Sequence, residues 1–226
     1  MTQPTPTNPL GNPTYPGYTA SNGPNWVDYL TTKYNESVVL TYNLAWGGAT
    51  IDSDLVAPYE PSVSSVAEQI ENEWFPTYAR KQVAPWSSDD TLFAVFDGIN
   101  DVGNSWYESD TAPLNDAIYA VYHGLMDELY YAGARNFLFL NVPPVDRSPL
   151  AKLNSAADQA TEKADIAAWN SALLAMAAAI KQDKPDTNIF TVDTNKYFTE
   201  VLDNPASFPA TAGYKNTTNY CTAYEK

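Results

Sequence analysis

The chain has 226 residues, 44% hydrophobic and 13% aromatic, which suits one large α/β domain with a sizeable core and argues against a disordered polymer. Its formal charge is −15, from 27 acids against 12 bases. That field repels nucleic-acid backbones and anionic membranes, no apolar run reaches the length of a membrane span, and a small neutral substrate is compatible with it.

The first 25 residues, rich in proline and glycine, read as loop. Pro24 opens a helix in "PNWVDYLTTKYN", with Trp26, Tyr29, Leu30 and Tyr34 on one expected apolar face. "SVVLTYNLA" (37–45) is β-branched and predicts a strand. "SVSSVAEQIENEWF" places Val63, Val66, Ala67, Ile70 and Trp74 at helical spacing. "TLFAVFDG" (91–98) is a continuous apolar run, expected to be a strand covered on both faces.

A long helix is predicted over 113–132, with Ile118, Val121, Tyr122, Leu125 and Leu129 as its stripe and Gly133 as its stop. "RNFLFLNV" (135–142) reads as a buried strand and 157–183 as an Ala-rich helix. "NIFTVD" (188–193) follows as a strand, then a short helix to about Leu202 and a loop tail. Strands alternating with helices predict one domain, 1–226, with a mostly parallel sheet and helices on both faces. In such sheets chemistry sits at the carboxyl ends of the strands. "NLAWGGAT" and "DGINDVGNSW" fall there.

Gly47-Gly48 at the first of these turns lets backbone N–H groups point outward. Asn100 offers a carboxamide at the second. A backbone N–H and an Asn side chain together can hold an oxyanion during acyl transfer, although either turn alone is ordinary turn chemistry. "WGGAT" has neither the spacing nor the lysine of a phosphate loop, and no His/Cys cluster suggests zinc, so no cofactor is expected.

In combination, "NLAWGGAT" and "GIND" resemble the second and third motif blocks of the SGNH, or GDSL, hydrolase superfamily. "NPLGNPTYPGYTASNGPNWVDYL", "LTYNLAWGGATIDSDLV", "GINDVGNSW" and "LFLNVPPVDRSP" look like secreted acetylesterases of carbohydrate esterase family 16. The resemblance implies a flavodoxin-like three-layer α/β/α fold with a parallel sheet. It also implies hydrolysis of acetyl esters on sugars or of other small esters. Gly48, five residues after Asn43 and two before Thr50, matches the oxyanion glycine, and Asn100 matches the oxyanion asparagine.

The remaining parts of the family mechanism have no counterpart in the chain. There is no Gly-Asp-Ser nucleophile motif and no Asp-x-x-His. The sole histidine, His123, has Ala120 three positions before it and is expected on the surface, flanked at helical spacing by Tyr119 and Asp127. The resemblance therefore implies a chain truncated at both ends. It would lack the first central strand, be inactive as given and be prone to aggregate, and Cys221 would have lost a disulfide partner.

The alternative is a non-catalytic saccharide-binding pseudo-esterase. Trp46, Trp106 and Tyr107 would then stack on sugar rings, unless they simply pack under neighbouring loops. A two-carboxylate glycosidase site at Asp97 and Asp101 ranks below the reading in which these acids satisfy turn N–H groups. Asp52 and Asp54 are read as caps, and Asp146, Arg147 and Asp193 are given no catalytic role. Ser53, Ser105 and Ser148 have no base to activate them. The sequons at Asn35 and Asn216 favour a secreted glycoprotein, although residues 1–4 open no signal peptide.

Overall fold

The computed structural model describes residues 3–11, 19 and 23–220. Cys221, with the expectation attached to it, lies outside them. The chain divides into two compact units, residues 1–47 and 48–226.

In the first unit, helix α1 (Trp26–Thr32) opens on a capping box. Asn25 Oδ1 accepts the N–H groups of Val27 and Asp28, and Asp28 Oδ2 takes the Asn25 N–H at 2.7 Å. The apolar face expected of α1 is not the buried one. Asp28 and Thr31 are buried, whereas Leu30 and Tyr34 are 50% and 66% exposed. Local polar chemistry explains the inversion. Asp28 serves the cap, and the Thr31 hydroxyl bonds Val27 O and the Thr41 hydroxyl. The rings of Tyr29 and Tyr34 stack on each other beneath the Lys33 ammonium instead of entering a core. Residues 37–45 form no strand: they pair in no ladder, and Val38, Val39 and Leu40 are exposed. A β-branched run becomes a strand only where a partner supplies the ladder.

The second unit is α/β, as expected, and its sheet is parallel throughout. Strands β1 (Leu92–Val95), β2 (Asn136–Leu140) and β3 (Asn188–Val192) lie in the order β1-β2-β3. These three strands fit a partial sheet of the SGNH type. Before them runs α2 (Val66–Glu68), continuing through a π-helical turn (Gln69–Trp74) into α3 (Phe75–Thr77); between them run α4 (Ile99–Gly103), α5 (Ala112–Ala132) and α6 (Ala156–Asp183). Helix α7 (Thr194–Asp203) follows β3. Gly133 ends α5 in the left-handed conformation, as its position predicts.

The core lies on one face of this sheet. Phe93, Phe137 and Phe139 meet Trp74, Trp86 and Tyr122 there, with Trp74–Phe93 and Tyr122–Phe139 edge to face at 5.5 and 5.9 Å. Trp169 of α6 is fully enclosed and packs on Tyr119, 4.9 Å between ring centroids. Each such side chain contributes about 1.5–3 kcal/mol by leaving water. The opposite face is more open. Leu92, Phe96 and Phe190 are 50%, 38% and 54% exposed, so β1 is not covered on both sides. The reason is position: β1 is the edge of the sheet, and its alternate residues point away from the core.

Candidate functional site

Two turns converge at the carboxyl end of β1. In the first, Gly48 has φ +93°, a left-handed conformation that disfavours a Cβ, and the Tyr59 ring lies directly against it. Downstream, the turn is held from three sides. The carbonyls of Thr50 and Ile51 accept the Val66 and Ala67 N–H groups of the first turn of α2, at 2.9 and 3.0 Å. The Thr50 hydroxyl donates to Val56 O. Thr50 and Ile51 are wholly buried.

The second turn opens α4 at Gly98, also left-handed, with φ +106°. It supplies the third tether. Asn100 Nδ2 donates to Ala49 O at 2.8 Å, and both Asp101 carboxylate oxygens accept the Ile51 N–H, at 3.0 and 3.3 Å. The structure therefore brings Gly48 and Asn100 to one place. Asn100 makes this single side-chain hydrogen bond, which leaves its other N–H uncommitted. Among the described residues the Gly48 N–H has no hydrogen-bond partner. Two free N–H donors on adjoining turns can donate to one developing negative oxygen.

The acids beside this pair act on backbone groups. Asp97 Oδ1 accepts its neighbour Gly98 N–H, and burial, with Asp101 adding a like charge, pushes its carboxyl up to about 8. Asp101 is fully enclosed, and burial raises it to about 7 against the opposing pull of the Ile51 N–H. Asp52 Oδ1 accepts the Asp54 N–H, a local turn. Asp193 caps α7 by accepting the Lys196 N–H, and it also accepts from Asn141 Nδ2. The Ser105 hydroxyl donates to Asp101 O within α4's last turn, and Ser148 Oγ accepts the Ala151 N–H.

His123 lies only partly at the surface, its side chain 30% exposed. It is half-buried midway along α5, its Nε2 enclosed without a hydrogen-bond partner and its Nδ1 3.9 Å from Asp127. The Lys184 ammonium, just past α6, holds the other oxygen of the same Asp127 at 2.5 Å. Among the described residues no group of three or more His, Cys, Asp and Glu is placed to hold a metal ion. None of the described helices is long and apolar enough to cross a membrane.

An open groove of about 640 Å³ runs from Leu55–Tyr59 to Asn104, Tyr107, Glu108, Asp110 and Leu114. Tyr59 and Tyr107 present rings that are 71% and 62% exposed. Trp106 packs edge-on against Tyr107, 5.9 Å between centroids, and is not part of the lining. Trp46, 47% exposed, belongs to the first unit. Asn35 donates to Ser37 O, and the exposed Asn216 accepts the Thr218 N–H and hydroxyl. Tyr59 was not singled out from the sequence. Its ring reaches Gly48 through a loop whose course no periodicity predicts.

Residues 11–226 match the model of the GDSL-like Lipase/Acylhydrolase family. An acetylesterase of Thermothelomyces thermophilus is 42% identical over 211 residues, covering 92% of this chain and 70% of that protein. A thermolabile hemolysin of Vibrio parahaemolyticus is 27% identical over 201 residues, 89% of this chain and 43% of its own length. A phosphatidylcholine-sterol acyltransferase of Aeromonas hydrophila is 27% identical over 215 residues, 94% of this chain. The chain spans 58% of that protein's length.

Proposed function

Because this chain belongs to the GDSL-like lipase/acylhydrolase family, we propose that Gly48 and Asn100 form the oxyanion-binding half of its ester hydrolase site. The carrying observation is the pair of free N–H donors on turns joined through Ala49 O. In this reading the ester carbonyl oxygen lies between the Gly48 N–H and the second Asn100 N–H. Negative charge developing on that oxygen during acyl transfer is met by preorganised donors. The favoured substrate is an acetyl ester on a sugar or another small alcohol. The acetylesterase relative, the acidic surface and the open groove with its exposed tyrosines support that reading.

The chain as given does not turn over ester in this proposal. Its one histidine approaches Asp127 within α5, its Nε2 is enclosed without a partner, and among the described residues no serine hydrogen-bonds to it. Secretion of the protein and glycosylation of Asn35 and Asn216 belong to the same proposal. A second reading, saccharide binding without hydrolysis, draws on the exposed Tyr59 and Tyr107 rings of the groove.

The test is p-nitrophenyl acetate hydrolysis by the purified chain, beside the chain extended with a Gly-Asp-Ser strand and an Asp-x-x-His segment. The expected result is no turnover by the chain alone and turnover by the extended protein. Asn100→Ala should then lower kcat of the extended protein roughly 100-fold. Hydrolysis by the chain alone that Asn100→Ala abolishes would overturn its inactivity. An extended, folded protein that stays silent yet binds acetylated sugars calorimetrically would favour the second reading.

A further inference from the structure

We propose that Asp101 is a positioning residue for the oxyanion pair, holding the Gly48–Ile51 turn in register with Asn100. This rests on the reading of Gly48 and Asn100 given above. The turn's bonds divide by polarity. Its Thr50 and Ile51 carbonyls are taken by the first N–H groups of α2, and its Ala49 carbonyl by Asn100. The Ile51 N–H alone faces a charged group, and Asp101 meets it with both oxygens from fifty residues away in the chain.

Without Asp101 the turn would stay attached to α2, but its register against α4 would rest on Asn100 alone. That carboxamide would then have to locate the turn and bind substrate with the same nitrogen. Asp101 shares the first task, so that Asn100 does not locate the turn unaided. Its side chain is fully enclosed, as is Ile51, so water does not replace the bond when it is lost. The groups facing Asp101 are Asp97 at the end of β1, Asp52 on the turn's own loop, and Tyr119 and Tyr122 on α5. Among the described residues no cation forms an ion pair with it. Its fixed partner is therefore the Ile51 N–H.

The coupling is testable in the chain as it exists and without turnover. Nitrogen-15 NMR spectra of the labelled protein are followed from about pH 5 to about pH 9, the range in which Asp101 changes charge. The Ile51 amide, the Gly48 amide and the Asn100 side-chain NH2 are expected to shift with one common midpoint. Asp101→Asn should remove that midpoint, and Asp97→Asn should keep one. In Asp101→Ala, hydrogen exchange at Ile51 should quicken roughly 10- to 100-fold while Phe137 and Phe139 stay protected. In the extended enzyme, Asp101→Ala should lower kcat with KM little changed, and Asp101→Asn should recover most of the loss.

A Gly48 or Asn100 resonance that ignores the Ile51 titration overturns the proposal, as does a common midpoint that survives in Asp101→Asn. If Asp101→Ala fails to fold, the wild-type and Asp101→Asn titrations still decide. These spectra do not depend on ester hydrolysis, so a failed oxyanion reading and a failed positioning role would be separate results.

Discussion

Gly98 packs directly against the indole of Trp169. A Cβ at Gly98 would sit 2.6 Å from Trp169 Cζ2 and closer still to Nε1. Trp169 has no room to retreat, because it is fully buried and wedged against Tyr119. Gly98→Ala therefore combines overpacking with a left-handed backbone, and we expect a loss of roughly 3 kcal/mol or more. Urea denaturation with the midpoint compared at equal slope measures it.

Gly48→Ala should be milder although its collision looks similar. A Cβ there would come 2.6 Å from Tyr59 Cδ1, but that ring is 71% exposed and can swing away. What remains is the strain at φ +93°, about 1–2 kcal/mol. The two alanine variants, melted side by side, should rank in that order, and equal losses would mean that Tyr59 is pinned more firmly than its exposure implies.

Stability should fall as pH rises from acid through neutrality. Burial raises the folded-state values of Asp97 to about 8 and Asp101 to about 7, and it also raises Asp146 and Glu162. An unfolded carboxyl titrates near pH 4, so the unfolded chain releases these protons first. The protonated groups cost the fold nothing below about pH 4, and the penalty grows until the folded values are passed near pH 7 to 8. Thermal melts across that range should show a declining midpoint, and Asp97→Asn should flatten the decline. A midpoint that climbs steadily towards pH 8 would contradict the assignment.

Asn170→Ala should destabilise the chain by about 1–3 kcal/mol. Asn170 on α6 reads the backbone of Val142 as a strand would, accepting its N–H at 2.8 Å and donating to its carbonyl at 2.9 Å. Asn195 also donates to that carbonyl, so the unmet N–H is the main loss. Amide exchange at Val142 should quicken in the variant, ahead of the core of β2.

Leu92→Lys should reduce self-association at little cost in stability. Leu92 is half exposed on β1, and no described strand pairs with that strand's outer edge. A lysine there discourages edge-to-edge pairing. Light scattering at matched concentration is the measurement, and unchanged association would place the sticky surface elsewhere.

Much of this architecture was legible because its signals are local. The stripe of α5, the Gly133 stop, the apolar run of β2 and the α6, β3 and α7 segments each declare themselves within one window of sequence. What misled was chemistry that needs a distant partner. Residues 37–45 have the composition of a strand but no ladder. Trp26, Tyr29 and Leu30 of α1 have helical spacing, yet Asp28 and Thr31 are the buried side chains because they carry its hydrogen bonds. At the site, Gly48 and Asn100 could be picked out as turn residues. The reach of Asp101 to Ile51 and of Tyr59 to Gly48 could not, since nothing in either window names the other.

The π-helical turn between α2 and α3 sets a rotational phase. Phe75 N–H reaches back five residues to Ile70 O, so the helix carries one residue more than a regular turn would. Each residue of a regular helix advances about 100° around the axis. Removing any one residue from 69–73 would let the α-helix run unbroken and would turn Trp74 roughly that far from Phe93 and Trp86, which it now meets at 5.5 and 5.7 Å. A single-codon deletion there would therefore act as a twist of the aromatic layer beneath the sheet, felt by every ring downstream of it, with no change in composition to announce it.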